Sequence, residues 1–245
     1  MFDLVAQIGR NLADLHGRIA AAAARSGRRA EDVRLVVVSK SVGPAEIRAV
    51  VAAGAADLGE NRPQQLWERA ETLADLPIRW HLIGHLQRNK LRRTLPCVHY
   101  IHAVDSLRLA LAIDEEAARR AAASPPAARR PTAVLIEVNV SAEPAKHGFA
   151  PAEVEPLLPR LAELRNLEVH GLMCMAGLGG GLEAARRQFA ALRTLGDRLR
   201  RNAPPGIALG ELSMGMSGDF EVAIEEGATM VRIGSAVFEG VGIGD

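Results

Sequence analysis

The sequence predicts an α/β protein folded as a single (β/α)8 TIM barrel with an extra N-terminal helix. Three observations predict it. Short apolar, β-branched runs alternate with amphipathic segments, as in a parallel sheet with crossover helices. The alternation repeats eight times within 245 residues, the usual length of such a barrel. The competing open doubly wound sheet calls for a glycine-rich fingerprint after its first strand, and "SKSVGPAE" is not one.

The elements follow in order. An amphipathic stretch opens the chain. "VRLVVVSK" (33–40) reads as a strand, and "PAEIRAVVAAG" (44–54) as a helix begun by Pro44 and ended by Gly54. "ADLGEN" (56–61) is a short strand before a helix over 62–75. "IRWHLIG" (78–84) precedes a helix over 86–95, and "VHYIHAVD" (98–105) precedes a long helix over 106–123 with Ser106 as its cap. A proline-rich surface loop (124–131) leads to the strand "TAVLIEVNV" (132–140) and a helix over 151–164, where Pro156 and Pro159 challenge continuity. "LEVHGLMCM" (167–175) and a helix over 181–202 come next, then "GELSMG" (210–215) and a helix over 217–227. "TMVRIGS" (229–235) is the eighth strand, followed by a short helical tail. All 245 residues read as one domain.

Composition narrows the function classes. Hydrophobic residues are 48% and aromatics only 3%, so the core must be aliphatic. A formal net charge of +1 supplies no field for nucleic acid or an anionic membrane. The two cysteines have neither metal spacing nor a disulfide framework, which points to the cytoplasm. No signal peptide or membrane span is expected. Only three of the 30 basic residues are lysine: Lys40, Lys90 and Lys146. Arginine cannot serve as a nucleophilic amine, so each lysine draws notice.

Barrel chemistry sits at the C-terminal ends of the strands. There the sequence places Lys40, Glu60 and Asn61, His81 and Gly84, Val104 and Asp105, Asn139, Met173–Met175, the run "SMGMSGD" (213–219) and "RIGSA" (232–236). The last two lie where barrels commonly bind phosphate, at expected helix starts rich in backbone N–H groups. Their small residues could equally serve as turns and caps. Lys40 could snorkel to solvent, or, if partly buried, form a Schiff base with an aldehyde. Arg232 could pair at the surface or face an aromatic nitrogen. Lysine, phosphate loops and arginine together describe a site for pyridoxal 5′-phosphate (PLP). His81 and His85 lack further ligands at metal spacing, so packing or ring stacking is expected of them and no metal. Asn61 and Asn139 could bond a ring oxygen or turn the chain. Met173, Cys174 and Met175 read as core, and "RNKLRR" (88–93) as a solvated helix face.

Taken in order, "VVVSK", "LGENRPQ", "WHLIGHLQRNK", "VLIEVNVSAEPAKHGF", "HGLMCM", "ELSMGMSGDFEVAI" and "VRIGSAVF" resemble the pyridoxal phosphate homeostasis proteins, relatives of the N-terminal barrel of alanine racemase. The resemblance runs from about residue 30 to 238. It implies PLP held on Lys40 as a reversible internal aldimine, without robust turnover. Ser213, Met214, Ser217, Gly234 and Ser235 would surround the phosphate, Arg232 would face the pyridine nitrogen, and Asn61 and His81 would lie near the ring. An arginine there keeps that nitrogen unprotonated and the cofactor a weak electron sink. Two stretches depart from the family pattern: the glycine-rich "AGLGGG" (176–181), a looser loop, and the tail "EGVGIGD". The second domain of alanine racemase, with its tyrosine base, is expected to be absent. The expected partners are PLP and PLP-dependent apo-enzymes, and the expected state is a monomer. A PLP-dependent amino-acid racemase is the alternative. A PLP-free aldolase barrel fits less well, because its Schiff-base lysine typically sits late in the barrel.

Overall fold

A computed structural model describes residues 2–123, 125, 130–141, 143, 147–177 and 179–241. Lys146, most of the 124–131 loop, Leu178 and the end of the tail lie outside the described residues. Eight parallel strands close into a barrel in chain order: β1 (Arg34–Val38), β2 (Asp57–Glu60), β3 (Arg79–Leu82), β4 (Tyr100–Val104), β5 (Thr132–Glu137), β6 (Leu167–Met173), β7 (Ile207–Ser213) and β8 (Met230–Ile233). β1 pairs with β8 as well as β2, with Val36 opposite Arg232 and Val37 opposite Ile233. That closure brings the end of the first strand beside the end of the last.

Helices cover the outside: α1 (Phe2–Arg25), α2 (Pro44–Ala52), α3 (Pro63–Thr72), α4 (Leu91–Thr94), α5 (Leu107–Ala122), α6 (Pro151–Ala162), α7 (Gly181–Arg201) and α8 (Phe220–Glu225). Their apolar faces and the outward side chains of the strands form the main core. Ser106 caps α5 as expected, its Oγ accepting from the Leu109 N–H at 3.3 Å. α6 continues through both internal prolines. Pro156 and Pro159 lie on its exposed side, as do Ala152 and Glu155, whose carbonyls lose their i+4 N–H partners and can turn to water.

Two expectations about helices need correction. The segment 86–95 is a 3-10 turn (Arg88–Lys90) and the single turn of α4, not one helix. Lys90 and Arg93 lie over the ring of Trp67. No helix follows β8 through Val241; residues 235–240 are turns. α1 takes the place of that eighth helix. Its stripe of Ile8, Leu12, Leu15, Ile19, Ala22 and Ala23 is buried, and it packs between α8 and α2. Asn11 on α1 ties down the turns by donating to the carbonyls of Val237 and Glu239, each at 2.9 Å.

The barrel interior is less apolar than its exterior. A small cluster of Tyr100, Ala103, Leu135, Met173 and Met230 occupies it beside a chain of polar side chains. Of the three residues expected in the core near the end of β6, Met173 lies inside the barrel and Cys174 in the outer core. Met175 is a correction: it is exposed, two residues past the end of β6.

Candidate cofactor site

β1 ends at Val38, and Lys40 follows in an exposed turn rather than a partly buried one. The turn is built from below by a buried ion pair. Arg69 on α3 donates to the carbonyls of Ser39 at 2.8 Å and Val42 at 2.7 Å, and it pairs with Glu60 at the end of β2. Ser39 Oγ donates to the same carboxylate at 2.5 Å. Burial raises the pKa of Glu60, against the opposing bonds from Ser39 and Arg69. Lys40 is thus flanked on both sides by carbonyls that one guanidinium holds. Asn61 sits half-buried after β2, against a loop that needs Gly84: a Cβ there would meet the Asn61 carbonyl oxygen at 2.2 Å.

The loops after β7 and β8 meet beside this turn. Gly234 N–H donates to Ser217 Oγ at 3.3 Å, and a Cβ on Gly234 would lie 3.1 Å from the Val38 carbonyl oxygen. Ser217 is half-buried and Ser235 exposed. Among the described residues, no acceptor is found for the backbone N–H groups of Ser217, Gly218, Ser235 and Ala236. These donors belong to turns rather than to the helix starts that the sequence suggested. Two of the residues expected around the phosphate are fully buried. The Met214 side chain is fully buried in the outer core, so it takes no place among these donors. Ser213 is fully buried and bonds Arg232 instead.

Arg232 is the pivot of the interior. It is 4% exposed; Nη1 donates to Ser213 Oγ at 2.5 Å and Nη2 to the Cys174 carbonyl at 2.9 Å. Nε has no acceptor among the described residues. Burial lowers the guanidinium pKa, with nearby acidic groups opposing it. From Ser213 the bonding continues to His102 Nδ1 (2.9 Å), from His102 Nε2 to His81 Nδ1 (2.8 Å), and from His81 Nε2 to Asp57 Oδ1 (2.9 Å). Arg79 closes it, with Nε 2.8 Å from Asp57 Oδ1 and Nη2 2.5 Å from Oδ2. β4 and β7 are not neighbours, so the His102–Ser213 bond crosses the lumen. The chain therefore runs from the bottom of β2 to the mouth.

Its two ends fix every proton in it. Arg232 can only donate, so Ser213 Oγ accepts from it; with Asp57 able only to accept and both imidazoles neutral, the hydroxyl gives its own proton to His102 Nδ1. His102 must then carry its proton on Nε2 and donate to His81 Nδ1. His81 in turn donates from Nε2 to Asp57, which can only accept. Both imidazoles are neutral in this scheme. Their pKa values agree: burial pulls both below the usual histidine value, that of His102 well below. For Asp57 burial opposes ionisation, but bonds from Arg79 and His81 prevail and hold it well below the carboxylate range. His81 thus reaches the mouth only through His102 and Ser213; it was expected near the ring and lies two residues removed from Arg232. Tyr100 stacks on it at 5.7 Å.

Sequence reasoning missed Asp57, Arg69, His102 and the carbonyl of Cys174. The available signal was one titratable residue within each of three apolar strands: "WHL", "IHA" and "VRI". Asn139 turns the chain: its Nδ2 donates to the Glu143 carbonyl and its Oδ1 accepts from Ser141 Oγ. Glu137, at the end of β5, is buried, and burial with the nearby charge of Asp105 raises its pKa to about 7. His85, for which packing or ring stacking was expected, stacks on His147, and Asp105 gathers with them.

A parallel barrel with a lysine after its first strand and an arginine buried in its eighth falls in a known class. Residues 11–240 match the family described as "Alanine racemase, N-terminal domain". A pyridoxal phosphate homeostasis protein of Aquifex aeolicus is 41% identical over 221 residues, covering 90% of this chain and 92% of its own. PipY of Synechococcus elongatus, solved with PLP bound, superposes with a TM-score of 0.81 at 35% identity, over 94% of this chain and 99% of its own. Alanine racemase of Clostridium difficile shares the fold at 16% identity and a TM-score of 0.72, over 95% of this chain and 56% of its own. The chain belongs to the pyridoxal phosphate homeostasis protein family. Among the described residues, no helix is long and apolar enough to cross a membrane.

Proposed function

We propose that the barrel mouth binds PLP reversibly, with Lys40 forming a Schiff base to its aldehyde and releasing it by hydrolysis. The observation that carries this reading is the β1–β8 closure. It sets Lys40 beside the Gly234–Ser235 loop, above a buried arginine whose Nε–H finds no acceptor among the described residues. PLP needs an amine, donors for a dianion and a donor for an unprotonated ring nitrogen; the chain offers all three. Ser217, Ser235 and the backbone at Gly234 would hold the phosphate, Arg232 would donate to the ring nitrogen, and Asn61 would flank the ring. His81 and Ser213 would serve by fixing Arg232. The bound group supplies an electrophilic aldehyde and a conjugated ring, which Arg232 keeps a poor electron sink.

The rest of the proposal is a monomer in the cytoplasm that acts as one PLP-binding domain over residues 1–245, holding PLP for apo-enzymes without robust turnover. Tyr100, the only tyrosine, bonds His170 inside the barrel, and burial raises its pKa. A racemase-like reading has one observation in its favour, the His85–Asp105 pair at 2.9 Å at the same end of the barrel. Borohydride reduction of the PLP-loaded protein, then peptide mapping, is expected to place the label on Lys40. A label chiefly on Lys90 or Lys146 would overturn the assignment. Exchange of α-protons of amino acids into deuterated water should be negligible. Rapid exchange lost in both Lys40→Ala and His85→Ala would establish the racemase-like reading instead.

A further inference from the structure

The ends of β3, β4 and β5 carry a second constellation, which belongs to neither the PLP proposal nor the interior chain. His85 follows β3, Asp105 follows β4, and His147 returns to the end of β5. That return is built by the backbone. Phe149 N–H donates to the Glu137 carbonyl at 2.8 Å, and Asn139 N–H to the Phe149 carbonyl at 2.9 Å. Gly148 between them has φ 106, and a Cβ there would meet the Glu137 carbonyl oxygen at 2.9 Å. Only glycine makes this turn without strain, and the turn sets His147 against His85. Their rings stack at 4.6 Å with planes 20° apart.

We propose that His85, Asp105 and His147 bind a divalent transition-metal ion of the zinc, cobalt or nickel type. Asp105 Oδ2 lies 2.9 Å from His85 Nδ1 and 3.8 Å from His147 Nδ1, and the three ligand atoms all fall within 4.8 Å of one another. Ligands on a tetrahedral ion at bond lengths near 2.1 Å are about 3.4 Å apart, so small side-chain rotations close the site. Two imidazoles and one carboxylate suit these ions and not magnesium or calcium, which take oxygen ligands. The Asp105 side chain is only 10% exposed, and among the described residues its ion-pair partners are the two imidazoles alone. One side is open: His85 and Asp105 border a cavity of about 410 Å³ that Arg88, Ser106 and Arg108 also line. Three protein ligands and an open side leave room for an exchangeable ligand, and the two arginines favour an anion there.

Untagged protein, freed of PLP and treated with chelator, would be titrated with cobalt(II) and followed by its visible absorption. Binding of one ion per chain is expected, with bands of low coordination number. His147 is largely exposed, so His147→Ala keeps the fold, which circular dichroism checks. That variant and His85→Ala should each bind at least about tenfold more weakly. Failure of the wild type to bind cobalt stoichiometrically would overturn the proposal, as would equal binding by the doubly substituted protein. Neither outcome depends on where PLP binds.

Discussion

Ser213→Ala separates two roles for one residue. The family resemblance placed Ser213 near the phosphate, whereas its hydroxyl lies between a buried guanidinium and a buried imidazole. Removing it leaves Arg232 Nη1 without its acceptor and His102 Nδ1 without its donor, both away from water. A lost hydrogen bond to a charged group costs roughly 1.5–3 kcal/mol, and a buried neutral group left unpaired roughly 1–3 kcal/mol. The missing oxygen is too small a void to admit a bridging water. With partial relaxation the expected loss is about 3 kcal/mol, toward the lower end of the combined range. Urea unfolding of the PLP-free protein near neutral pH measures it. Replacing His102 as well should cost less than the sum of the two single changes, because the second substitution removes the stranded partner. PLP should bind the variant with an altered visible spectrum, since Arg232 loses an anchor. Suppose instead that stability falls by less than about 1 kcal/mol and PLP is weakened far more than phosphate-free pyridoxal. The serine then touches phosphate, and the directed chain is wrong.

Two further outcomes follow from the same geometry. Neither His81 nor His102 should titrate near the ordinary histidine value. Asp57 favours the charged form of each, while burial and the cations Arg34, Arg79 (at His81) and Arg232 (at His102) oppose it. An unfolded histidine takes up a proton below about pH 6.5 while these two do not, so their contribution is present above that pH and lost below it. Each costs up to about 1.4 kcal/mol per pH unit on the acid side, until its own folded pKa is reached. Histidine ring NMR checks both statements, and a midpoint at or above 6.5 for either ring contradicts them. At the mouth, Arg69→Lys should weaken PLP and lower stability by about 3 kcal/mol, because a single ammonium cannot span two carbonyls and a carboxylate and leaves buried Glu60 poorly paired. Unchanged PLP affinity would show that the Lys40 turn holds itself.

What could be read from the sequence, and what could not, divides along a physical line. Strands and helices are local, so hydrophobic period and punctuation located all eight strands and most helices. The proline-bearing α6 survived because its prolines face water. The helix expected after β8 failed because α1, some two hundred residues earlier, fills that position, a relation no local pattern carries. Lys40 and Arg232 stood out because each sits at or near the end of an apolar strand, where any polar side chain reaches the mouth. The barrel lumen is different. His102 and Ser213 are 111 residues apart on strands that do not pair, and only barrel closure brings them together. Periodicity states which face a residue takes, not what stands across the lumen from it. Yet a lumen-facing charge must find a partner in a dry space. Three strands that each turn a titratable side chain inward therefore constrain one another: an inward arginine demands an acceptor, and an inward histidine demands both a donor and an acceptor. Asp57 at the foot of β2 is the end such a chain requires.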